Sequence, residues 1–173
     1  MDSHIILIGF MGAGKTTVGK NLARKTGFPL LDTDHLIEEQ TGKTVKWIFE
    51  AWGEEEFRRL ETDVLKTLAD RPGDWVLSTG GGLPMKEENR KLLGQAGMVV
   101  YLKAEPETVL NRLSRDRNRP LLAGSDRKER VESLMAFRGP VYESGAHVIV
   151  KTDGKSPDAI SDEIVSALFA KNG

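Results

Sequence analysis

The sequence predicts an α/β fold, a three-layer sandwich in which helices flank a five-stranded parallel sheet. Short apolar runs alternate along the chain with longer segments in which apolar residues recur at helical spacing, which is typical of βα units around a parallel sheet. A chain of 173 residues is long enough for one domain with a substantial core and too short for two independent ones. We therefore expect residues 1–173 to form a single domain.

Five runs are candidate strands because they are short and mostly apolar, as strands buried on both faces are. They are Ile5–Ile8, Phe28–Leu31, Trp75–Ser78, Met98–Leu102 and His147–Val150. Two apolar stripes at helical spacing indicate helices that face the core. The first stripe is Phe57, Leu60, Val64, Leu65 and Leu68, and the second is Ile160, Ile164, Val165, Leu168 and Phe169. The second helix has a start signal, with Ser156 as N-cap and Pro157 at the first helical position. Three tryptophans are expected to be packing residues: Trp47, Trp52 and Trp75.

The composition excludes several classes of protein. A formal net charge of −1 argues against a surface devoted to nucleic acid or anionic lipid, since both favour a large basic excess. The absence of cysteine excludes disulfides, thiolate nucleophiles and cysteine-ligated zinc, and the three histidines fit no metal-binding spacing. No run approaches the roughly 18 to 20 apolar residues of a membrane span. We expect a cytoplasmic monomer whose partner is a small-molecule substrate.

The strongest chemical signal is the segment Gly9-Phe10-Met11-Gly12-Ala13-Gly14-Lys15-Thr16, which matches the phosphate-binding pattern G-x-x-x-x-G-K-[ST]. It lies between the first candidate strand and a helical segment, where backbone N–H groups and the helix dipole together hold phosphates. Lys15 would reach the β- and γ-phosphates, and the Thr16 hydroxyl would bind a Mg²⁺ that bridges them. The alternative, a glycine-rich turn that binds nothing, is disfavoured by this context. We therefore predict a site for a nucleotide and Mg²⁺.

A second substrate is expected near the ends of neighbouring strands. Asp32 and Asp34 follow the second candidate strand, and two residues apart in extended chain their side chains would point the same way, toward the ligand-binding edge of the sheet. One could hold magnesium through water while the other accepts a substrate proton. Alternatively, the aspartates belong to a turn or a helix N-cap, since Asp34 precedes a helix-like stretch that begins near His35. Gly80, Gly81 and Gly82 follow the third strand, where they would let a ligand lie against bare backbone or would form only a flexible turn.

Two groups of charged residues also bear on function. Arg58 and Glu61 lie three residues apart in a predicted helix, and charge patterning alone favours a solvated surface pair. The segment 114–127 is predicted to be a mobile loop. Arginines in this loop and its flanks could close over the γ-phosphate as a lid that excludes water, or could merely keep a loop soluble. These arginines are Arg112, Arg115, Arg117, Arg119 and Arg138.

Together these residues resemble the shikimate kinase family over nearly the whole chain. The matching segments are GFMGAGKTTVGK, LDTDHLIEEQTGKTVKWIFEAWGEEEFRRLE, VLSTGGG, RNRPLL and FRGPVYE. One departure is Val141, where the family pattern R-x-P-L-Y has leucine, a small change in apolar volume. The resemblance implies a P-loop fold like that of nucleoside-monophosphate kinases, with a lid at about residues 112–125 and a substrate-binding segment at about 33–61.

The resemblance also implies residue roles. Asp34 would pair with the attacking hydroxyl of shikimate as its general base, and Lys15 and the lid residue Arg119 would be the other catalytic groups. Arg58 and Arg138 would bind the substrate carboxylate, and Glu61 would orient Arg58. The remaining substrate contacts would be Phe49, Phe57, Gly80, Gly81 and Gly82. Magnesium would be served by Thr16 and Asp32. The nucleotide would be bound by Gly12, Ala13, Gly14, Lys15, Thr16, Thr17, Arg112, Arg119 and Lys155, with Arg112 against the adenine and the loop 152–157 opposite it.

The implied reaction is transfer of the γ-phosphoryl group of ATP to the 3-hydroxyl of shikimate, which gives shikimate 3-phosphate and ADP. Two other interpretations remain open. A gluconate-type or nucleoside-monophosphate kinase would share the phosphate loop and the lid, but would not require Arg58, Glu61 and Arg138 together as a carboxylate site. A non-enzymatic nucleotide-dependent switch would fit the phosphate loop, but would leave the glycine triplet and the arginines without a purpose.

Overall fold

A computed structural model describes residues 3–114 and 126–172 of the chain. Most of the predicted lid, including Arg115, Arg117 and Arg119, therefore lies outside the described residues. None of the helices in the described part of the chain is long and apolar enough to cross a membrane.

Five parallel strands form one sheet, as the sequence predicts. The strands are β1 (Ile5–Ile8), β2 (Leu30–Asp32), β3 (Val76–Ser78), β4 (Met98–Lys103) and β5 (Val148–Lys151), and their order in the sheet is β2-β3-β1-β4-β5. Strand β2 begins two residues later than predicted and continues to Asp32. The cause is Pro29, which has no N–H to donate to a neighbouring strand.

Helices cover both faces of the sheet. They are α1 (Lys15–Thr26), α2 (Thr33–Thr41), α3 (Val45–Ala51), α4 (Glu54–Leu68), α5 (Glu87–Ala96), α6 (Pro106–Leu113), α7 (Arg127–Gly145) and α8 (Pro157–Asn172), with a short 3₁₀ turn at Leu83–Met85. The predicted start of the last helix is confirmed, because the Ser156 hydroxyl accepts a hydrogen bond from the Ala159 N–H at 3.1 Å. Helices α1 and α8 pack against each other, and α4, α5 and α7 make a second packed group.

The first predicted apolar stripe is confirmed throughout, since all five of its side chains are buried along α4. Three other side chains that were expected to pack in the core do not: Phe169 is 70% exposed, Trp47 is 39% exposed and Trp52 is 45% exposed. Trp47 and Trp52 lie at the outer side of α3, where their rings make an edge contact with each other instead of entering the core. Trp75 is the only one of the three tryptophans that is buried, and it stacks on His4.

The topology brings three chain segments to the carboxyl edge of the sheet, because β2, β3 and β1 are neighbours that all run in the same direction. The phosphate loop follows β1, the aspartates follow β2 and the glycine triplet follows β3. In the strand register Ser78 lies beside Asp32 on one side and Leu7 on the other. This edge is where ligands bind in open α/β sheets.

A histidine joins β4 to β5 by hydrogen bonds at the opposite, amino-terminal edge of the sheet. The His147 Nδ1 atom accepts a hydrogen bond from the backbone N–H of Val99 at 2.9 Å. The backbone N–H of His147 donates to the Val99 carbonyl at 2.8 Å. Partial burial of the ring, with a smaller contribution from the Lys171 ammonium, lowers the pKa of His147 below its usual value of 6.5. The neutral ring is therefore the form that the fold favours.

We predict that this histidine makes stability sensitive to mild acid. Its contribution is present above the usual pKa and is lost as the pH falls through the lowered pKa, because protonation removes the acceptor for Val99. His147→Asn keeps an acceptor near the Nδ1 position but cannot be protonated. Between about pH 7 and pH 5 the variant should lose less stability than the wild type. The difference should be well below the net value of one buried hydrogen bond, about 1 kcal/mol, because His147 is exposed and water screens the change.

Urea unfolding at the two pH values measures this difference. His35→Asn is the matched control, because His35 is exposed on α2 and pairs only with Glu39 among the residues for which a contact is described. Equal acid sensitivity of His147→Asn and the wild type would contradict the prediction.

Candidate active site

The phosphate loop has the backbone shape that its glycines predict. Gly12 and Gly14 adopt left-handed φ angles of 79° and 97°, which other residues rarely tolerate, and α1 begins directly afterwards at Lys15. The first N–H groups of α1 and the positive end of its dipole therefore face the space above the loop. This arrangement suits an anion such as a phosphate group.

A cavity of about 240 Å³ lies above this loop, and we call it the phosphate-loop cavity. It is lined by Met11, Gly12, Gly14, Lys15, Thr16, Thr17, Asp32, Asp34, Ser78, Thr79, Gly80 and Gly81. The Lys15 ammonium donates hydrogen bonds to the carbonyls of Gly9 at 2.6 Å and Phe10 at 3.0 Å. The cavity thus gathers the predicted phosphate-binding residues except Ala13, which is buried.

The two aspartates reach this cavity by a different route from the one that the sequence suggested. They are not two residues of one extended strand, because α2 begins at Thr33 and places Asp34 in its first turn. Asp32 is the N-cap, and its Oδ1 atom accepts hydrogen bonds from the N–H groups of Asp34 at 2.9 Å and His35 at 3.3 Å. The N-cap interpretation is therefore wrong for Asp34, because the helix begins two residues earlier than expected and Asp32 is its cap. Both carboxylates still line the cavity.

Three helices meet the glycine triplet at the end of β3, each at a different glycine. The Gly80 N–H donates to the Thr33 hydroxyl of α2 at 2.9 Å, and the Tyr142 hydroxyl of α7 donates to the Gly81 carbonyl at 2.6 Å. The third contact is made by α4, whose Arg58 guanidinium lies over Gly82. The triplet is therefore a fixed junction and not a flexible turn.

The lack of side chains in the triplet is what allows these contacts. A Cβ atom on Gly82 would stand 2.5 Å from Arg58 Nη2, and one on Gly81 would stand 3.4 Å from Arg138 Nη1. A Cβ atom on Gly80 would stand 3.1 Å from Asp34 Oδ1 and 3.1 Å from Glu61 Oε2. These two carboxylate oxygens therefore lie no farther apart than twice that distance. Any side chain at Gly82 would push the guanidinium away.

A second cavity, of about 560 Å³, opens on the other side of the triplet, and we call it the arginine cavity. Its lining includes Arg58, Gly82 and Arg138, together with Glu54, Glu55, Met85, Lys86, Leu134 and Phe137. Arg58 and Arg138 therefore converge on one space, although they lie 80 residues apart on α4 and α7. Two guanidinium groups that face one cavity provide donors suited to a carboxylate.

Arg58 and Glu61 are not the solvated surface pair that charge patterning favoured. Glu61 is fully buried, and its Oε1 atom accepts a hydrogen bond from Arg58 Nη1 at 2.7 Å. Exposed Glu54 contacts the other terminal nitrogen, Nη2, at 3.3 Å. Burial raises the pKa of Glu61 to about 7 despite the opposing effect of Arg58, and Asp34 adds to the rise while Arg138 opposes it. Glu61 Oε2 accepts no hydrogen bond from the described residues.

The two aromatic residues predicted to contact the substrate, Phe49 and Phe57, pack against each other near Arg58. The rings of Phe49 and Phe57 are 4.6 Å apart, and the Arg58 guanidinium stands 5.4 Å from the centre of the Phe57 ring. Phe57 is buried, and neither ring lines the two cavities. In this structure Phe57 supports Arg58, and Phe49 packs against Phe57.

The residues predicted to surround the adenine are only partly brought together. Arg112, in the last turn of α6, donates to the Gly12 carbonyl at 3.0 Å and so lies beside the phosphate loop. Asp153, in the loop predicted to lie opposite, accepts hydrogen bonds from the Glu105 N–H and the Thr108 hydroxyl of the α6 start. Lys155 points elsewhere, because its ammonium pairs with Glu163 at 2.8 Å.

Comparison with known proteins assigns a family. A family model described as "Shikimate kinase" matches residues 11–169. The shikimate kinase of Thioalkalivibrio sulfidiphilus is 47% identical over 162 residues, which cover 94% of this chain and 85% of that protein. The shikimate kinase of Shewanella frigidimarina is 43% identical over 165 residues, which cover 95% of this chain and 96% of that protein. The chain belongs to the shikimate kinase family.

Solved shikimate kinases have the same fold. "Shikimate kinase from Acinetobacter baumannii in complex with shikimate" aligns with a TM-score of 0.91 at 42% identity, and the alignment covers 99% of this chain and 95% of that chain. The shikimate kinase of Aquifex aeolicus aligns with a TM-score of 0.81 at 34% identity, with 98% of each chain covered. A sugar kinase from Janibacter sp. has a TM-score of 0.65 at 15% identity and shares the fold alone.

Family membership confirms that the chain is an enzyme, a kinase that uses ATP as co-substrate and acts on shikimate. The gluconate-type, nucleoside-monophosphate and switch alternatives are not favoured. The roles of individual residues remain predictions.

Two residues at the site were missed at the sequence level, Thr33 and Tyr142. Both are buried and both contact the glycine triplet. Thr33 lies between the two aspartates, and Tyr142 is the second-last residue of the segment FRGPVYE, so the motifs contained them. Their contacts join residues 47 and 61 positions apart, which no local pattern encodes.

We predict that Glu61 makes stability decline as the pH rises. The folded chain retains the Glu61 proton up to about pH 7, whereas the unfolded chain releases it near the usual value of 4.5. Stability from this group is therefore present below that usual value and is lost as the pH rises through about 7. Relative to Glu61→Gln, the wild type should lose stability between these values, with a slope of at most about 1.4 kcal/mol per pH unit.

Urea unfolding of both proteins at several pH values measures this difference. Glu55→Gln, an exposed position on the same helix, should track the wild type. A constant difference between the wild type and Glu61→Gln across this range would show that Glu61 does not titrate there.

Proposed function

We propose that this chain transfers the γ-phosphoryl group of ATP to the 3-hydroxyl of shikimate with the residues of the two cavities. The observation that supports this assignment is the glycine triplet, which joins a phosphate loop on one side to a pair of arginines on the other. One cavity offers anion-binding N–H groups and the second offers guanidinium groups, so a nucleotide and a carboxylic acid can meet across the junction.

The nucleotide would be held mainly by the phosphate loop. The first N–H groups of α1 and the Lys15 ammonium would surround the β- and γ-phosphates. Lys15 would exchange its bonds to the Gly9 and Phe10 carbonyls for phosphate oxygens. Arg112 would lie at the adenine end, and Arg119, with the rest of the predicted lid, would cover the γ-phosphate and exclude water.

The donor groups present also fit a Mg²⁺ ion. The Thr16 hydroxyl and the Asp32 carboxylate line the same cavity as the phosphate loop, and only the Oδ1 atom of Asp32 is used by the N-cap. Magnesium in such sites needs one or two protein oxygens, with waters and phosphates as the other ligands. The absence of a cluster of three ligating side chains within 3–114 and 126–172 is compatible with this mode. When bound, the ion would neutralise charge on the phosphates.

The acceptor would be oriented by its carboxylate. Arg58 and Arg138 would bind this group in the arginine cavity, and the carboxylate would take over from Glu54 at Arg58 Nη2. Glu54 is exposed, and a surface ion pair of this kind is worth no more than about 1 kcal/mol, so its replacement costs little. Glu61 would keep Arg58 in place through the other nitrogen, Nη1.

Asp34 is the carboxylate best placed to act on the attacking hydroxyl. It lines the phosphate-loop cavity together with Lys15 and lies within contact distance of the triplet. A substrate ring fixed by Arg58 and Arg138 and resting on the triplet would present a hydroxyl to Asp34. Asp34 would accept the hydroxyl proton as the oxygen bonds to the γ-phosphorus and the bond to ADP breaks.

We predict that Asp34→Asn lowers kcat by about 100-fold or more, the usual size of a general-base contribution. The dissociation constant for ADP should change by less than about threefold, because the nucleotide contacts remain. Asp63→Asn, on the solvent side of α4, is the control and should retain normal turnover. A coupled ADP-release assay and a nucleotide titration measure both quantities, and near-normal kcat in Asp34→Asn would refute the role of Asp34.

The same assay on the wild type tests the acceptor. ADP release should depend on shikimate and greatly exceed the release with gluconate, which is an open-chain acid, or with a nucleoside monophosphate. Only a carboxylic acid on a compact ring would match both the two arginines and the glycine triplet. Quinate tests how narrowly the ring is recognised. Tight ATP binding with no response to any of these acceptors would favour a nucleotide-dependent switch instead.

A further inference from the structure

Tyr142 is the buried polar side chain that links the two halves of the site. It lies on α7 with 1% of its surface exposed, so no solvent can satisfy its hydroxyl. The hydroxyl donates a hydrogen bond of 2.6 Å to the carbonyl of Gly81, which lines the phosphate-loop cavity. The mechanism described above gives this residue no task.

Arg138 lies one helical turn earlier on α7, and its Nη1 atom lies beside the same glycine, 3.4 Å from the position that a Cβ atom on Gly81 would take. A phenol has one proton to donate and accepts through its oxygen, whereas a guanidinium only donates. Since the Tyr142 proton points to Gly81, the Tyr142 oxygen can still accept a hydrogen bond from the nearby Arg138 guanidinium. Burial raises the pKa of Tyr142 to about 12 despite the opposing effect of Arg138, so the hydroxyl keeps its proton near neutral pH.

The two arginines of the cavity are held in different ways. Arg58 is fixed by Glu61 and Glu54. Arg138 lies beside Gly81, to which the Tyr142 hydroxyl is bonded, and 5.8 Å from the centre of the Phe10 ring. An arginine side chain carries about 2 kcal/mol of rotamer entropy, so the neighbour that restrains it affects how well it is prepared for a ligand.

We propose that Tyr142 is a positioning residue that holds Arg138 at a fixed distance from the Gly81 backbone. The acceptor carboxylate is thereby bound at a fixed position relative to the phosphate loop. This inference deepens the proposed function and rests on its assignment of Arg138 to the acceptor carboxylate. Tyr142 touches neither substrate and acts through Arg138 and Gly81.

Tyr142→Phe separates this role from simple packing, because the variant keeps the ring and loses only the hydroxyl. The expected result is a rise of about tenfold in the KM for shikimate, the size expected for a hydrogen bond to a charged group. We expect kcat to fall by less than about threefold and the KM for ATP to stay within about twofold, since Lys15 and Asp34 keep their places.

Tyr101→Phe is the matched control. Tyr101 is also buried, with its ring 5.1 Å from the Tyr142 ring, and no contact of its hydroxyl with the triplet or Arg138 is found within the described residues. It should change neither KM. Thermal unfolding of both variants shows whether they fold, so that an altered KM can be compared between folded proteins.

A second comparison tests whether Tyr142 acts through Arg138. In an Arg138→Lys background, the further substitution Tyr142→Phe should lower kcat/KM for shikimate by much less than it does in the wild type, because the restrained guanidinium is already gone. This ratio is measurable from initial rates without saturation. Equal losses in the two backgrounds, an unchanged KM for shikimate in Tyr142→Phe, or an equal rise in both KM values would overturn the proposal.

The wild type separates failure of this inference from failure of the proposed function. If the wild type phosphorylates shikimate and Tyr142→Phe matches it, only the positioning role fails. If the wild type does not turn over shikimate, the proposed function fails first.

Discussion

The site depends on the close approach of three helices to a backbone that carries no side chains. At the end of β3 the glycine triplet receives Thr33 from α2, Arg58 from α4 and Tyr142 from α7. A single methyl group at Gly82 would overlap the guanidinium that it now supports. The sheet order makes this junction useful, because it places β3 between the strand that leads into the phosphate loop and the strand that leads into the aspartates.

Arg58 is paired with two carboxylates that differ in how strongly they hold it. Arg58 is paired with a buried carboxylate, Glu61, and with an exposed one, Glu54. A buried pair resists disruption, because removal of one partner leaves an uncompensated charge, whereas an exposed pair contributes little. Arg58 is therefore oriented by one partner and remains available to a substrate through the other.

Much of the fold and part of the site follow from local sequence. Buried strands such as Ile5–Ile8 are apolar throughout, and the loop from Gly9 to Thr16 is a contiguous motif with a specific backbone requirement. The resemblance to a family supplied the predicted roles of Arg138 and Arg58. Charge patterning alone had favoured a solvated surface pair of Arg58 and Glu61. The sequence did not indicate that Asp34 lies in a helix, because the strand before it ends only at Asp32. Tyr142 escaped notice because its partner, Gly81, is distant in the chain.

The most direct test of the central claim is the KM for shikimate of Gly82→Ala. Gly82 has φ −88° and ψ −10°, which alanine adopts without strain, so the added methyl group should displace the end of Arg58 and leave the fold intact. Gly94→Ala, in α5 with nothing within 4 Å of the new atom, is the control. The account predicts that Gly82→Ala raises the KM for shikimate by about tenfold or more while ADP affinity and thermal stability change little, because small displacements of a binding group are costly. A Gly82→Ala enzyme with the KM of the wild type would contradict it.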